Sequence, residues 1–226
     1  MIDRLVLAFA LFLIPVTAAG AAPPSSNPDP YSPDRTRVAF TDDRARKFLD
    51  EFARCIASRQ PRKAVAMLAL SYGSGEQQRV ALDLGTSEIE CMGPYTGELS
   101  MSLDGSSLAA GMAEYLVTHA NKIEDMRRRE PNSFIYAEPT AVERFGECVV
   151  EQDPAGVTAL ARSDIASIAE SVATDALIPE IQQCVTTGQT LSLDRTALRQ
   201  LLMVSLYKHV AIPPPAVPAT AASTQH

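Results

Sequence analysis

Phe52-Ala53-Arg54-Cys55 and Phe145-Gly146-Glu147-Cys148 decide the fold, because the second tetrad returns to the pattern of the first after 93 positions. In each, an aromatic ring and a thiol stand three residues apart, which places them one turn apart on the same face of a helix. The same offset lays Pro61 over Pro154, Ser74 over Ser167, Leu84 over Leu177 and Cys91 over Cys184. Beyond the second cysteine of each set the offset becomes 90. Ser102-Leu103-Asp104 then lies over Ser192-Leu193-Asp194, Leu108 over Leu198, Leu116 over Leu206 and His119 over His209. The matches keep one order over about 75 residues, so the chain reads as two tandem copies of one unit.

Local signals divide each copy into helices. Thr41 can cap a helix over 42–58, with Phe48, Leu49, Phe52, Cys55 and Ile56 as its apolar stripe. Pro61 suits the first turn of a second helix reaching Leu70, because its missing N–H would be unpaired there anyway. Ser74 with Gln77 resembles a capping box that opens a third helix, which Gly85 is expected to end. A short helix carries Cys91 and breaks at Gly93-Pro94. Asp104 opens a long helix over 105–127, with Leu108, Met112, Leu116, Ala120 and Ile123 turned inward. The second copy predicts helices near 140–152, 154–162, 165–177, 179–185 and 195–211. Phe134-Ile135-Tyr136, between Pro131 and Pro139, reads as an extended strap. No strand-rich stretch appears. The fold class is therefore all-α: two tandem, structurally similar helical units, each with an internal disulfide.

The flanks read differently from this middle. Arg4, the apolar run Leu5 to Ile14, Pro15 and the small residues Ala18 to Ala22 have the order of a secretory signal, with cleavage after Ala21. That run is too short to span a bilayer. The chain is thus divided into a signal peptide at 1–21, a disordered Pro-rich lead at 22–40, a first helical repeat at 41–129, a linker at 130–139, a second repeat at 140–211 and a disordered tail at 212–226. Export to an oxidising compartment, the periplasm or the medium, agrees with four cysteines that pair. Cys55–Cys91 and Cys148–Cys184 are the expected disulfides, since each copy is then self-contained. No span is expected to hold the mature chain in a membrane.

Chemistry is sparse. A net charge of −7 and a pI of 5.0 oppose nucleic-acid binding, and Arg127-Arg128-Arg129 is flanked by Glu124, Asp125 and Glu130. His119 and His209 fall near helix ends, where the dipole favours an imidazolium; His226 lies in the tail. Asp50 and Glu143 align and could act as an acid–base pair if they met across the copies, but an acid on the polar face of an amphipathic helix is the default reading. Ser74 stands between two glycines without the nucleophile-elbow spacing. The cysteine spacing suits neither a redox pair nor a zinc site. No catalytic, cofactor-binding or metal-ligating residue is assigned, and no cofactor is expected.

The duplicated Phe-x-x-Cys, the following Pro, the second Cys and the closing helix resemble small, uncharacterised exported helical proteins of α-proteobacteria. That resemblance covers about residues 40–210 and implies a periplasmic address without an activity. The function expected is a non-enzymatic exported protein that binds a partner protein or peptide. A carrier of a small apolar ligand in a helical cavity is the alternative, and an enzyme of unrecognised type comes third.

Overall fold

Ten α-helices and two 3₁₀ segments form among residues 42–95, 103–185 and 193–212, which the computed structural model describes, and no strand forms there. The first group runs α1 (Asp42–Arg59), α2 (Pro61–Leu68), α3 (Gly75–Ser87), a 3₁₀ segment at Ile89–Tyr95, α4 (Gly105–Thr118) and α5 (Ala120–Arg129). A 3₁₀ turn at Pro131–Phe134 leads to α6 (Ala141–Gln152), α7 (Pro154–Arg162), α8 (Ile168–Ala176), α9 (Ile178–Cys184) and α10 (Arg195–Ala211). Thr41, the residues before it and those from 213 onward lie outside the described residues. So do the signal, the whole of the lead and nearly all of the tail read from the sequence.

The helix starts follow from side-chain caps. Ser74 accepts from the Gln77 amide at 3.1 Å and Ser167 from the Glu170 amide at 3.1 Å. Asp104 and Asp194 accept from Ser107 and Ala197 at 3.0 and 2.8 Å. Each cap satisfies an amide that the helix leaves without a partner, and the aspartates also complement the dipole. Thr140 and Glu143 form a full capping box at the start of α6.

The core is centred on α4 and α10, which pack on one another and are buried around most of their circumference. Helix α1 packs on α4, and α6 packs on α10. Gly111 of α4 lets α1 come close: a Cβ there would stand 2.6 Å from the Ala53 Cβ. At the other junction the small residue is Gly146 on α6, and a Cβ there would lie 2.3 Å from Ser205 Oγ and 3.0 Å from Leu201 Cγ. Disulfides join Cys55 of α1 to Cys91 of the first 3₁₀ segment, and Cys148 of α6 to Cys184 of α9. Each closes 36 residues, which in the chain-entropy picture stabilises the fold by about 3–4 kcal/mol.

Three sequence expectations change. The long helix over 105–127 is two helices, broken at His119, whose backbone (φ −122°, ψ 52°) is not helical. Next to the break, the Thr118 hydroxyl donates to the carbonyls of Glu114 and Tyr115, a local competitor of regular helix bonding. Ala120, expected inward, is consequently exposed, while Ile123 is buried. Gly85 does not end α3, which continues to Ser87; it admits Leu103, whose Cδ2 would lie 2.7 Å from a Cβ there. Finally, Cys91 sits on a 3₁₀ segment, with Gly93 at φ 58° interrupting it. After the linker's own 3₁₀ turn the chain is extended, and the Ala137 amide donates to the Ala69 carbonyl at 3.2 Å.

Candidate functional site

A cleft of about 190 Å³ opens where α1, α4 and α10 meet. Leu49 from α1, Ala110 and Gly111 from α4, and Met203 from α10 give it apolar walls. Its polar residues come from the same helices: Arg46 and Asp50, Ser107 and Glu114, Thr196, Arg199 and Gln200. Spacings of three and four residues explain the grouping, since they place side chains on one helix face.

Six of these and neighbouring residues form an alternating row of charges. Arg46 donates to Glu170 Oε1 at 2.5 Å. Arg199 Nη1 stands 3.4 Å from the same oxygen, and Arg199 Nη2 donates to Glu114 Oε2 at 2.8 Å. Glu114 Oε1 accepts from Arg54 Nη2 at 2.7 Å, and Arg54 Nε donates to Asp50 Oδ2 at 2.7 Å. Ser163 completes the Arg199 shell, its hydroxyl and carbonyl each accepting at 3.0 Å. Such planar guanidinium contacts to carboxylates are among the stronger polar contacts a protein makes.

The row ends on an oxygen without a partner. Asp50 Oδ1 is buried and accepts no hydrogen bond, although its carboxyl lines the cleft. Burial is the largest influence on Asp50 and pushes its carboxyl above the usual range, against the pull of Arg54. Burial likewise raises Glu114, with Arg199 pulling the other way. Both Glu114 oxygens are tied to arginine.

The acids aligned in the sequence do not act together. Asp50 belongs to this row, whereas Glu143 serves the start of α6. Glu143 Oε2 accepts from the Thr140 amide at 2.8 Å, and its Oε1 accepts from the Tyr72 amide at 3.0 Å and Lys208 Nζ at 2.7 Å. Burial opposes its charge, but those bonds outweigh it and hold the Glu143 carboxyl below the usual range. Its partner Lys208 also faces the Tyr136 ring, 5.6 Å from the centroid.

Neither His119 nor His209 reaches the cleft. His119 lies at the α4–α5 break, where its Nδ1 donates to the Tyr115 carbonyl at 2.8 Å and its ring stacks on Tyr115. His209 is exposed in the last turn of α10. The three arginines at 127–129 pair with Glu124 and Asp125 on their own helix. Among the described residues no group of three or more His, Cys, Asp and Glu could hold a metal ion, and no helix is long and apolar enough to cross a membrane.

Glu114 and Arg199 were missed by the sequence reading. Their signal was present: each is a charged residue on the inward face of an apolar helix, four or fewer steps from Gly111 or Met203, and such residues are seldom buried unless paired. No protein-family model, curated protein or solved structure matches the chain.

Proposed function

We propose that this is an exported, non-enzymatic binding protein of two tandem helical units, which receives a group of a partner protein or peptide in the cleft between them. The observation that carries the reading is a cleft lined by residues of both units, with apolar walls beside the charged side chains of Arg46, Asp50, Glu114 and Arg199. A concave site with apolar walls and a few convergent polar groups is where a protein ordinarily receives a group from outside.

Several features support the tandem unit. Helices α2 and α7 start 93 residues apart, as do α3 and α8, while α4 and α10 start 90 apart. Both disulfides close 36 residues. Gly73 and Ala166, also 93 apart, both have positive φ, at 71° and 58°. Each donates its amide to the side chain four residues on, Gln77 or Glu170. Two disulfides and the signal-like N-terminal sequence support export to the periplasm or beyond.

The cleft geometry favours binding over its rivals. A carrier of apolar ligands needs an enclosed apolar cavity, and this cleft is partly open to solvent with charged side chains among its lining. A two-carboxylate acid–base device needs both acids free to reach the reacting atoms, and both Glu114 oxygens are occupied.

Native mass spectrometry of the protein isolated from its own host tests this. Wild type should carry a partner mass, and Ala45→Trp, which places bulk at the exposed cleft rim, should lose it while remaining folded. Absence of any retained partner from wild type, or retention unaffected by Ala45→Trp, overturns the proposal.

A further inference from the structure

We infer that the cleft receives a carboxylate on a short apolar stem, with Arg46 as the group that holds the head. This rests on the cleft being the recognition site, and it names the chemistry of the group received.

Spare hydrogen-bonding capacity decides the sign of the head. Every charged acceptor that lines the cleft is spent or out of reach. Glu114 accepts from Arg54 through Oε1 at 2.7 Å and from Arg199 through Oε2 at 2.8 Å. Asp50 accepts from Arg54 through Oδ2 at 2.7 Å, and its Oδ1 is buried against the α1–α4 contact with no surface to meet a ligand. Glu170, which anchors Arg46, has both oxygens occupied: Oε1 by Arg46 and Oε2 by the Ala166 amide. Of the two arginines on the cleft, Arg199 is 4% exposed and gives its bonds to Glu114 and Ser163. The other, Arg46, is 23% exposed and gives one bond, from Nη2 to Glu170. A guanidinium carries five N–H donors, so Arg46 keeps most of its fork for an acceptor from outside.

An incoming ammonium would find no free charged acceptor and would face Arg46. A carboxylate meets a planar donor fork, the partner that guanidinium geometry suits. Thr196, from the first turn of α10, adds a hydroxyl to the same lining. Asp42 and Asp43 stand one turn before Arg46 on α1. Both are exposed, where water and salt screen them, and Arg44 and Lys47 on the same turns offset their charge. For the stem, Leu49, Ala110, Ile165 and Met203 supply apolar walls. An apolar cavity of about 150 Å³ holds benzene, so a volume of about 190 Å³ accommodates a stem the size of a leucine side chain.

The carboxylate belongs either to a free acid or to the C-terminal residue of the partner chain. Isothermal titration of the disulfide-intact protein at neutral pH separates the two. The probes are sodium 4-methylpentanoate, Nα-acetyl-leucine and, with the carboxylate capped, Nα-acetyl-leucine N-methylamide. Saturable binding of 4-methylpentanoate alone assigns a free acid, and binding of Nα-acetyl-leucine assigns a chain terminus. Either supports the inference, with no binding of the capped amide. Arg46→Gln should weaken the bound probe by about tenfold or more, as expected for a lost charged hydrogen bond. Glu170 keeps Arg199 and the Ala166 amide in that variant, so the fold stands. Arg62→Gln, at an arginine 73% exposed and outside the cleft, should leave binding unchanged. No saturable binding of either carboxylate, the capped amide binding as tightly, unchanged binding by Arg46→Gln, or equal weakening by Arg62→Gln overturns it. A partner that Ala45→Trp displaces, combined with no carboxylate binding, would sink the carboxylate and leave the cleft reading intact. Carboxylate binding without any retained partner would do the reverse.

Discussion

Asp50 on α1 and Glu143 on α6 each stand two residues before a buried phenylalanine, yet their surroundings differ in kind. The Glu143 side chain is 2% exposed and meets two amides and an ammonium. The Asp50 side chain is 12% exposed and keeps one oxygen unpaired. A lysine at 208 makes the difference: the position 90 residues earlier is Thr118, whose hydroxyl serves its own helix. In one half the acid is therefore held by three donors, and in the other by one. Satisfied buried polar networks rigidify a core, whereas unsatisfied ones lower stability. The helix contacts beside these acids differ too. Gly111 with Ala53 makes the first junction, and Leu201 with Gly146 makes the second, so bulk at one junction sits where the other has none.

The largest expected effect tests whether the halves are equal where they look equal. Phe52 and Phe145 are both buried one turn before a disulfide cysteine. Phe52→Ala and Phe145→Ala should each cost about 3–5 kcal/mol in chemical denaturation. A loss below about 1 kcal/mol at either site would break the equivalence and mark that ring as a contact surface. The disulfides come next. Replacing Cys55 and Cys91 by Ala, or Cys148 and Cys184 by Ala, opens loops of the same length, so each double variant should lose about 3–4 kcal/mol. Losses differing by much more than about 1 kcal/mol would place unequal native strain in the two staples.

Much of this scaffold is legible in the sequence because its signals are local. Pro154 after Asp153, and Asp194 before an apolar run, place the helices at 154–162 and 195–211 where they are observed. The cysteine offset finds both disulfides. What is not legible depends on distant neighbours. No glycine or proline announces the break at His119, and Gly85 looks like a helix end until Leu103 is seen against it. The candidate site is harder still. Asp50 is visible as an acid aligned with Glu143, but Glu114 lies 60 residues from Arg54 and 85 from Arg199, and Lys208 lies 65 from Glu143. Pairing over such separations is set by packing of α1, α4, α6 and α10, which no local pattern encodes.

Glu143→Gln probes the satisfied half. At neutral pH it should cost about 2–3 kcal/mol, because Lys208 loses a charged partner in a buried place. The folded Glu143 carboxyl is held below its ordinary value of 4.5, so its ionised form stabilises the fold. That contribution is complete above the ordinary value and is lost as the pH falls through the depressed one. Denaturation of wild type and Glu143→Gln between pH 7 and pH 3 should therefore show the gap closing on acidification. A gap independent of pH would mean the carboxylate charge plays no part in the loss.

Asp50→Asn carries the smallest effect and the sharpest contrast, because its sign is reversed. The folded Asp50 carboxyl is raised above its ordinary value of 3.8, with burial as the main cause, so its ionised form is a burden on the fold at neutral pH. The amide removes that charge while keeping the shape and one oxygen for Arg54. Stability should rise by about 0.5–1 kcal/mol at pH 7, the size typical when a strained functional group is neutralised. As the pH drops through the raised value, the folded wild type takes up a proton that the unfolded chain does not yet hold. Wild-type stability then gains on the variant until the ordinary value is passed, and the gap narrows, whereas for Glu143→Gln it narrows because wild type loses. Both curves come from one set of denaturation measurements against pH. A destabilised Asp50→Asn would show that Asp50 is, like Glu143, a fixture of its half.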